Sequence, residues 1–361
     1  MLIGIPKEIK NNESRVGATP AMVHDLVQKG HVVLIETNAG LAVSFPDKLY
    51  QESGGLIKDK EEVYRAELVV KVKEPQKSEF HLLQENHALF CYLHLAAEPD
   101  LTQVLIEKNI TAIAYETVTD AEGMLPLLTP MSKIAGRLSV HAGALALQVN
   151  HGGKGVLLGQ VSGVPAAKVL IIGAGSAGTE ALRSLIGIGA HVTVVDTNGE
   201  RLRALKLLFE GSITTELSSE SVIEALISEM DLVIGAVLSK GKKAPKLITR
   251  KMLSRMERGS AIVDISIDQG GIFETSRPTT HDNPTYIEEG VVHYCVSNMP
   301  GGVGRTATLA LTHVTIPYVT LLAQKGIKRA LLDNPFLLNG LNICRGQVTC
   351  EPVAHDLGYP H

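Results

Sequence analysis

One stretch limits the folds open to this chain more than any other: Lys168-Val-Leu-Ile-Ile-Gly173-Ala-Gly175-Ser-Ala-Gly178. An apolar strand runs straight into three glycines spaced G-x-G-x-x-G, and a helical run over 179–188 follows. Each glycine has its own physical reason. Gly173 permits the tight turn, and Gly175 lets the backbone approach a pyrophosphate. Gly178 lets helix and strand pack closely, while the helix start supplies amides and positive potential. A second strand over 191–195 then ends at Asp196, 18 residues beyond Gly178. Such an acid accepts from both hydroxyls of an adenosine ribose and repels a 2′-phosphate. The stretch therefore predicts a Rossmann-type βαβ unit that binds NAD in preference to NADP. Arg201 is the nearby residue that argues the other way, and the acid at the strand end outweighs it.

The rest of the chain repeats the alternation of short apolar runs and helical stretches expected of α/β proteins with mainly parallel sheets. Expected strands are Leu2–Ile5, Val32–Glu36, 67–72, 88–92 and 111–115. Thr19-Pro20 opens a helix that Gly30 closes. A long helix is expected over 131–149, where Met131, Ile134, Leu138 and Leu145 recur at near-helical spacing. Strands at Lys168–Ile172, 191–195, 212–215, 231–235, 261–265 and Val291–Tyr294 supply six for one dinucleotide-binding sheet. The helical residues 306–322 lie beyond that sheet with too little chain after them to fold alone. The expectation is a Rossmann-type NAD-binding domain, 129–304, inserted into a discontinuous α/β substrate domain, 1–128 and 305–361.

Composition removes other classes. The chain has 361 residues with 34 Lys+Arg against 38 Asp+Glu, so no basic field exists to hold nucleic acid or anionic lipid. No apolar run approaches 18 residues, so no bilayer span is expected. The opening residues lack the basic, apolar and small-residue order of a signal peptide, which leads to a cytoplasmic location as the expectation. Cys91, Cys295, Cys344 and Cys350 have no C-x-x-C spacing, so neither a metal site nor a disulfide framework is indicated.

Four charged residues sit where charge needs a reason. Arg15 lies in the polar loop after the first strand, at the end where a parallel sheet presents its ligand site. Lys71 and Lys73 both lie at the end of 67–72, and two-residue alternation puts them on one face, so spacing does not choose between them. His94 follows the apolar run Leu89-Phe-Cys-Tyr-Leu, where a hydrogen-bonded core histidine is the plainer alternative. Asp268 follows Ala261-Ile-Val-Asp-Ile-Ser-Ile, with Asp264, deeper in the run, the structural acid. Arg15 read by itself is equally a solvated surface residue. Together they follow strands at their carboxyl ends, and a cleft between domains would gather them opposite a nicotinamide. Arg and Lys suit an anionic substrate; His and Asp suit proton transfer. Hydride transfer on a small carboxylate follows.

The chain resembles the alanine dehydrogenase / pyridine nucleotide transhydrogenase alpha family, and within it the L-alanine dehydrogenases. The matching blocks are Gly4-Ile-Pro-Lys-Glu-Ile-Lys-Asn-Asn-Glu with Arg15, Lys71-Val-Lys73-Glu-Pro, Leu93-His94-Leu-Ala-Ala, Ala114-Tyr-Glu-Thr-Val and Pro130-Met-Ser132. Asp231-Leu-Val-Ile-Gly-Ala-Val, Asp264 to Gly271, Ser276-Arg277-Pro278-Thr-Thr and Ser297-Asn-Met299-Pro300 continue the match over nearly the whole chain. The resemblance implies that Arg15 and Lys73 hold the substrate carboxylate and that His94 and Asp268 handle protons, and it resolves the lysine ambiguity towards Lys73. It implies NAD contacts from Ser132, Ser176, Ala177, Asp196, Arg201, Ser218, Val237, Leu238, Ile265, Ser266, Ile267 and Arg277. Val296, Ser297, Asn298 and Met299 would lie near the nicotinamide. The implied reaction is oxidative deamination of L-alanine to pyruvate and ammonium, or its reverse, by a homohexamer.

Two stretches depart from the family pattern. Gly302 and Gly304 stand where Ala and Pro are more usual, which predicts a looser nicotinamide loop. His141 stands in the long helix where an amide is more usual, and reads as a helix-face residue. The main rival is the NAD-binding component of a proton-pumping transhydrogenase, but Leu127-Leu-Thr-Pro-Met-Ser-Lys lacks the Arg-Gln-Asp loop expected there. A saccharopine dehydrogenase fits the Leu-His-Leu-Ala-Ala block poorly. A non-enzymatic NAD-binding protein would have no use for all four charged candidates.

Overall fold

The computed structural model describes residues 1–85, 87–238 and 243–360. In chain order the strands are β1 (Leu2–Ile5), β2 (Val32–Glu36), β3 (Leu56–Lys58), β4 (Leu68–Val70), β5 (Ala88–Cys91) and β6 (Thr111–Ala114). Then come β7 (Lys168–Ile172), β8 (His191–Asp196), β9 (Thr214–Leu217), β10 (Leu232–Gly235), β11 (Ala261–Asp264), β12 (Thr285–Glu288) and β13 (Val291–Tyr294). The last two are β14 (Leu341–Cys344) and β15 (Gln347–Val348). They form one sheet of order β15-β14-β6-β5-β4-β1-β2-β3 and another of order β12-β13-β11-β10-β7-β8-β9.

The chain divides into two compact units, Met1–Met131 with Gly301–His361, and Ser132–Pro300. These joints lie a few residues from those read in the sequence. The thioether of Met131 meets the Arg15 guanidinium, and the Gly301 carbonyl accepts from the Ser14 hydroxyl, so both chain ends are tied into the first unit.

Most strands read as unbroken apolar runs because parallel sheets are covered on both faces. Every residue of β4, β5, β10 and β11 is buried. The helix Pro20–Gln28 starts as expected: the Thr19 hydroxyl accepts from the Met22 amide, a cap worth about 1 kcal/mol, and Gly30 turns the chain at φ 84°. β4 stops short of the expected 72 because the Val72 amide donates to the Glu8 carboxylate at 2.6 Å, not to a neighbouring strand. The long helix runs Thr129–Ala146, two residues earlier and three shorter at its end than expected, and passes into a 3₁₀ turn at Val149–His151.

In the second unit, β9-β8-β7-β10-β11-β13 reproduces the doubly wound order, all neighbours parallel. β12 adds an antiparallel seventh strand that the sequence reading missed. Its signal was present: Glu289 and Gly290, at φ 52° and 77°, make the two-residue turn that joins it to β13. β3 and the β14–β15 hairpin were also missed, being three, four and two residues long.

The helix Gly304–Lys325, with the turn before it, is long and apolar enough to cross a membrane by length and composition alone, although no unbroken apolar run in the sequence reaches that length. Its Thr308, Thr312 and Thr315 had hidden this length. Here Ala307, Leu311, Val319 and Leu322 are buried in the first unit. The expected looseness around Gly302 has a structural counterweight: Met299–Val303 is a 3₁₀ turn leading directly into that helix. A methyl group on Gly304 would meet the Ser14 hydroxyl at 2.0 Å. His141 is exposed on its helix.

Candidate active site

Four adjacent parallel strands of the first unit, in the order β6-β5-β4-β1, end on the same side, and charged residues follow each of them. Arg15, after β1, is 2% exposed, so it is not a surface arginine. Its Nε and Nη2 donate to the two oxygens of Glu13 at 2.7 and 2.6 Å, and Nη1 points at the Met131 sulfur at 3.0 Å. Burial works against the charge, and Glu13 more than offsets it, holding the guanidinium above its ordinary range.

The lysines separate cleanly. Lys71 is fully buried, with Nζ 3.2 Å from Glu8 and 3.4 Å from Glu79, whose carboxylate also accepts from Tyr64 at 2.8 Å. Burial opposes its charge, but Glu8 and Glu79 keep the ammonium well above the usual lysine range. Lys71 is structural. Lys73, two residues on, is only half-buried.

His94 is not a core histidine. Its side chain is 42% exposed, and its backbone is left-handed at φ 48°, ψ 40°. A non-glycine residue held there stores about 1–3 kcal/mol of strain, which persists only where surroundings impose it. Glu116, after β6, imposes it: its carboxylate accepts from the Leu93 amide at 3.1 Å and the His94 amide at 2.6 Å. The imidazole Nδ1 lies 3.9 Å from the same carboxylate, and the ring is parallel to Tyr92 at 6.1 Å. Arg15 also acts electrostatically on Tyr92.

In the second unit the glycine loop has the contacts its spacing requires. Gly173 is at φ 103°, and a Cβ there would lie 2.5 Å from the Ala236 carbonyl after β10. A Cβ on Gly178 would lie 1.9 Å from the Gly173 carbonyl, while one on Gly175 would meet, among the described residues beyond its chain neighbours, nothing within 4 Å. The helix Ser176–Ile188 begins at Gly175 without a side-chain cap, so the amides of Ser176, Ala177 and Gly178 form the first turn beside that open space. Asp196 stands next to it, accepting from the Ala174 amide at 2.6 Å and the Asn198 amide at 2.8 Å. Each oxygen retains a further lone pair. Uncapped amides, an open approach at Gly175 and a neighbouring acid fit a dinucleotide.

The other implied cofactor residues frame this loop. Ser132 lies one helical turn before Gly136, which crosses so close to Ala177 that a Cβ would be 2.1 Å from its carbonyl. The Ser218 amide donates to the Asp196 carbonyl at 2.9 Å. The Ser266 hydroxyl donates to the Val237 carbonyl at 2.7 Å and accepts from its amide at 3.0 Å, joining the turns after β10 and β11. Leu238 is exposed and Ile265 half-buried, while the side chains of Ile267, Val296 and Met299 belong to the core. Ser297 donates its amide to Thr279, and Asn298 is left-handed at φ 59°. Arg277 lies over the Tyr286 ring at 3.9 Å. Arg201 is engaged with the loop itself: Nε donates to the Ala174 carbonyl at 2.9 Å and Nη2 to the Thr179 hydroxyl at 2.8 Å.

The two acids after β11 divide as expected. Asp264 is buried and accepts from Ser266 and Ile272 amides and the Ser276 hydroxyl; burial pushes its carboxyl up, against these donors. Asp268 is exposed on the 3₁₀ turn Ile265–Gln269.

The sequence profile described as Alanine dehydrogenase/PNT, N-terminal domain, matches residues 4–135, and that of the C-terminal domain matches 139–351. The chain belongs to the alanine dehydrogenase/PNT family. An alanine dehydrogenase from Staphylococcus epidermidis is 53% identical over 363 residues, covering 100% of this chain and 98% of the relative. A solved L-alanine dehydrogenase superposes with a TM-score of 0.96 at 48% identity, covering 99% of each chain. A transhydrogenase from Sinorhizobium meliloti shares the fold, with a TM-score of 0.82 at 22% identity over 97% of this chain and 99% of that one.

Three acids that sequence reasoning passed over order this end of the sheet: Glu13 holds Arg15, Glu8 the Val72 amide and Glu116 the His94 amide. Glu8, Glu13 and Glu116 each lie inside or beside a matched block and are largely hidden from solvent. The argument applied to Asp264, that an acid beside an apolar run needs a partner, would have found Glu116 after β6.

Proposed function

We propose that this chain is an NAD-dependent L-alanine dehydrogenase, interconverting L-alanine with pyruvate and ammonium. Full-length likeness to alanine dehydrogenases is the observation that carries the reading. The first unit provides a fitting anion-binding and proton-handling set at one end of its sheet. NAD, when bound, supplies the hydride acceptor, and NADH the donor. It would be held by Gly173, Gly175 and Gly178, the first-turn amides, and Asp196.

Within this reading each side chain has one task. Arg15, oriented by Glu13, and Lys73 bind the substrate carboxylate, a charge-assisted pairing that fixes the reacting carbon. In the reductive direction ammonia adds to pyruvate to give a carbinolamine, which must lose water to become an iminium ion. His94 donates the proton to the departing oxygen, with Glu116 holding its backbone and facing Nδ1. Asp268 receives protons from the nitrogen side and favours the cationic iminium. In the oxidative direction the same groups exchange roles.

A homohexamer is part of the proposal. Val149, Leu157 and Ile188 line an exposed apolar hollow of the second unit, and Leu145 and Val164 are also exposed, a surface that suits association with further copies. A cytoplasmic location accords with four free cysteines. Ammonium-dependent oxidation of NADH with pyruvate by the purified chain tests the function, and light scattering tests the assembly. Absence of turnover with pyruvate and ammonium, or equal use of NADPH, would refute the reading.

A further inference from the structure

Glu8 holds two things at once. One carboxylate oxygen accepts from the Val72 amide at 2.6 Å and, more weakly, from the Lys73 amide at 3.4 Å. The other lies 3.2 Å from Nζ of Lys71. No sheet neighbour takes the Val72 amide, because β4 has ended at Val70 and β1 at Ile5. On the β1 side the backbone that presents Lys73 is thus located by a side chain from the loop after β1, while on the β5 side Lys71 still donates its amide to the Phe90 carbonyl at 3.1 Å.

That side chain is itself fixed. The Lys7 amide donates to Glu36 at 2.8 Å, pinning the segment before Glu8 to the end of β2. Behind Glu8, fully buried Lys71 is also paired with Glu79, which accepts from the Gln76 amide at 2.8 Å and so anchors the turn that follows Lys73. The Val72 carbonyl accepts from Tyr92 at 3.0 Å, the residue beside His94. The peptide at 72–73 is therefore held on both sides. A buried amide of this kind, donating to a carboxylate, is a strong and directional bond.

We propose that Glu8 is a positioning residue that sets Lys73 for the substrate carboxylate, with Lys71 as its buried counter-charge. This rests on the reading of Lys73 as a substrate-binding residue. It explains why two lysines occur in Lys71-Val-Lys73: one secures the acid that orients the backbone of the other.

Two conservative variants separate positioning from charge. Glu8→Gln keeps an oxygen for the Val72 and Lys73 amides while losing the charge facing Lys71. Glu8→Asp keeps the charge but draws the oxygens back by one methylene, about 1.5 Å. Steady-state kinetics with pyruvate, NADH fluorescence titration and thermal unfolding are measured on both, on Lys73→Ala and on the Glu8→Asp/Lys73→Ala double variant. Glu8→Asp should raise the pyruvate KM about tenfold to a hundredfold, the cost of an error near 1 Å in a bound group. Its NADH affinity should remain within twofold of wild type. Glu8→Gln should recover most of the pyruvate KM even where its melting temperature falls. The double variant should be no worse than Lys73→Ala alone, since Glu8 acts only through Lys73. A wild-type KM in Glu8→Asp, a Gln variant as impaired as the Asp one, or independent effects in the double variant would each overturn the proposal. An unchanged pyruvate KM in Lys73→Ala would instead overturn the reading of Lys73 on which it rests.

Discussion

Replacing Gly178 with alanine tests whether close packing of helix on strand is what aims the helix amides at a nucleotide. The alanine Cβ would stand 1.9 Å from the Gly173 carbonyl oxygen, where ordinary contact begins near 3.4 Å. Helix start and strand end must therefore separate by about 1.5 Å, since a packed interior offers little slack. A donor moved that far from a phosphate oxygen at about 2.9 Å no longer makes a hydrogen bond. Losing one or two bonds to a charged group, each worth about 1.5–3 kcal/mol, costs roughly 2–5 kcal/mol of NADH binding. That corresponds to a rise of about thirtyfold to several thousandfold in Kd. Gly178 is not in the left-handed region, so backbone strain adds nothing to this estimate. Gly175→Ala is the matched control. Its φ of −69° suits alanine, and among the described residues no atom beyond its chain neighbours lies within 4 Å of the added Cβ, so the fold should keep its melting temperature. NADH binding should still weaken, because the methyl group occupies the open approach. Fluorescence titration with NADH and thermal unfolding on both variants give the answer. Gly178→Ala binding NADH within threefold of wild type, at an unchanged melting temperature, would refute the argument.

His94→Ala should lose about 10²–10⁴-fold in kcat, the usual worth of one general acid, with NADH binding unchanged in stopped-flow titration; near-normal turnover would remove His94 from the chemistry. His94→Gly should melt above His94→Ala by an amount matching about 1 kcal/mol, because glycine accepts φ 48° without strain. Arg15→Ala should raise the pyruvate KM and also destabilise the first unit by about 3–5 kcal/mol, since the buried Glu13 carboxylate loses the guanidinium that faces both its oxygens; equal urea midpoints for variant and wild type would contradict this. Asp196→Ala should narrow the gap between NADH and NADPH while weakening both, because the Ala174 and Asn198 amides lose their acceptor; a variant that gained NADPH affinity at no cost in NADH affinity would count against the dual role.

The elements legible in the sequence were those whose cause is local. β7 was read to the residue because an apolar run between Lys168 and Gly173 has few other uses, and β1, β2 and β13 likewise. The helix Pro20–Gln28 announced itself through the Thr19 cap and Gly30, and the Gly173–Gly178 loop through conformations that only glycine makes cheap. Short edge strands carry too few residues for periodicity to register, which hid β3, β14 and β15. Charge placement was the larger gap. Alternation put Lys71 and Lys73 on one face, and the resemblance favoured Lys73, but only the fold buried one and left the other half-exposed. The partner that decides this, Glu8, lies 64 residues from Val72 in the chain. The left-handed backbone of His94 likewise comes from Glu116, which β5–β6 pairing brings alongside from 22 residues away. The sequence by itself determined which chemical groups were available and on which strands they would end. Their burial, pairing and strain were decided by tertiary structure, because whether a charge is solvated or paired depends on neighbours that no local pattern contains.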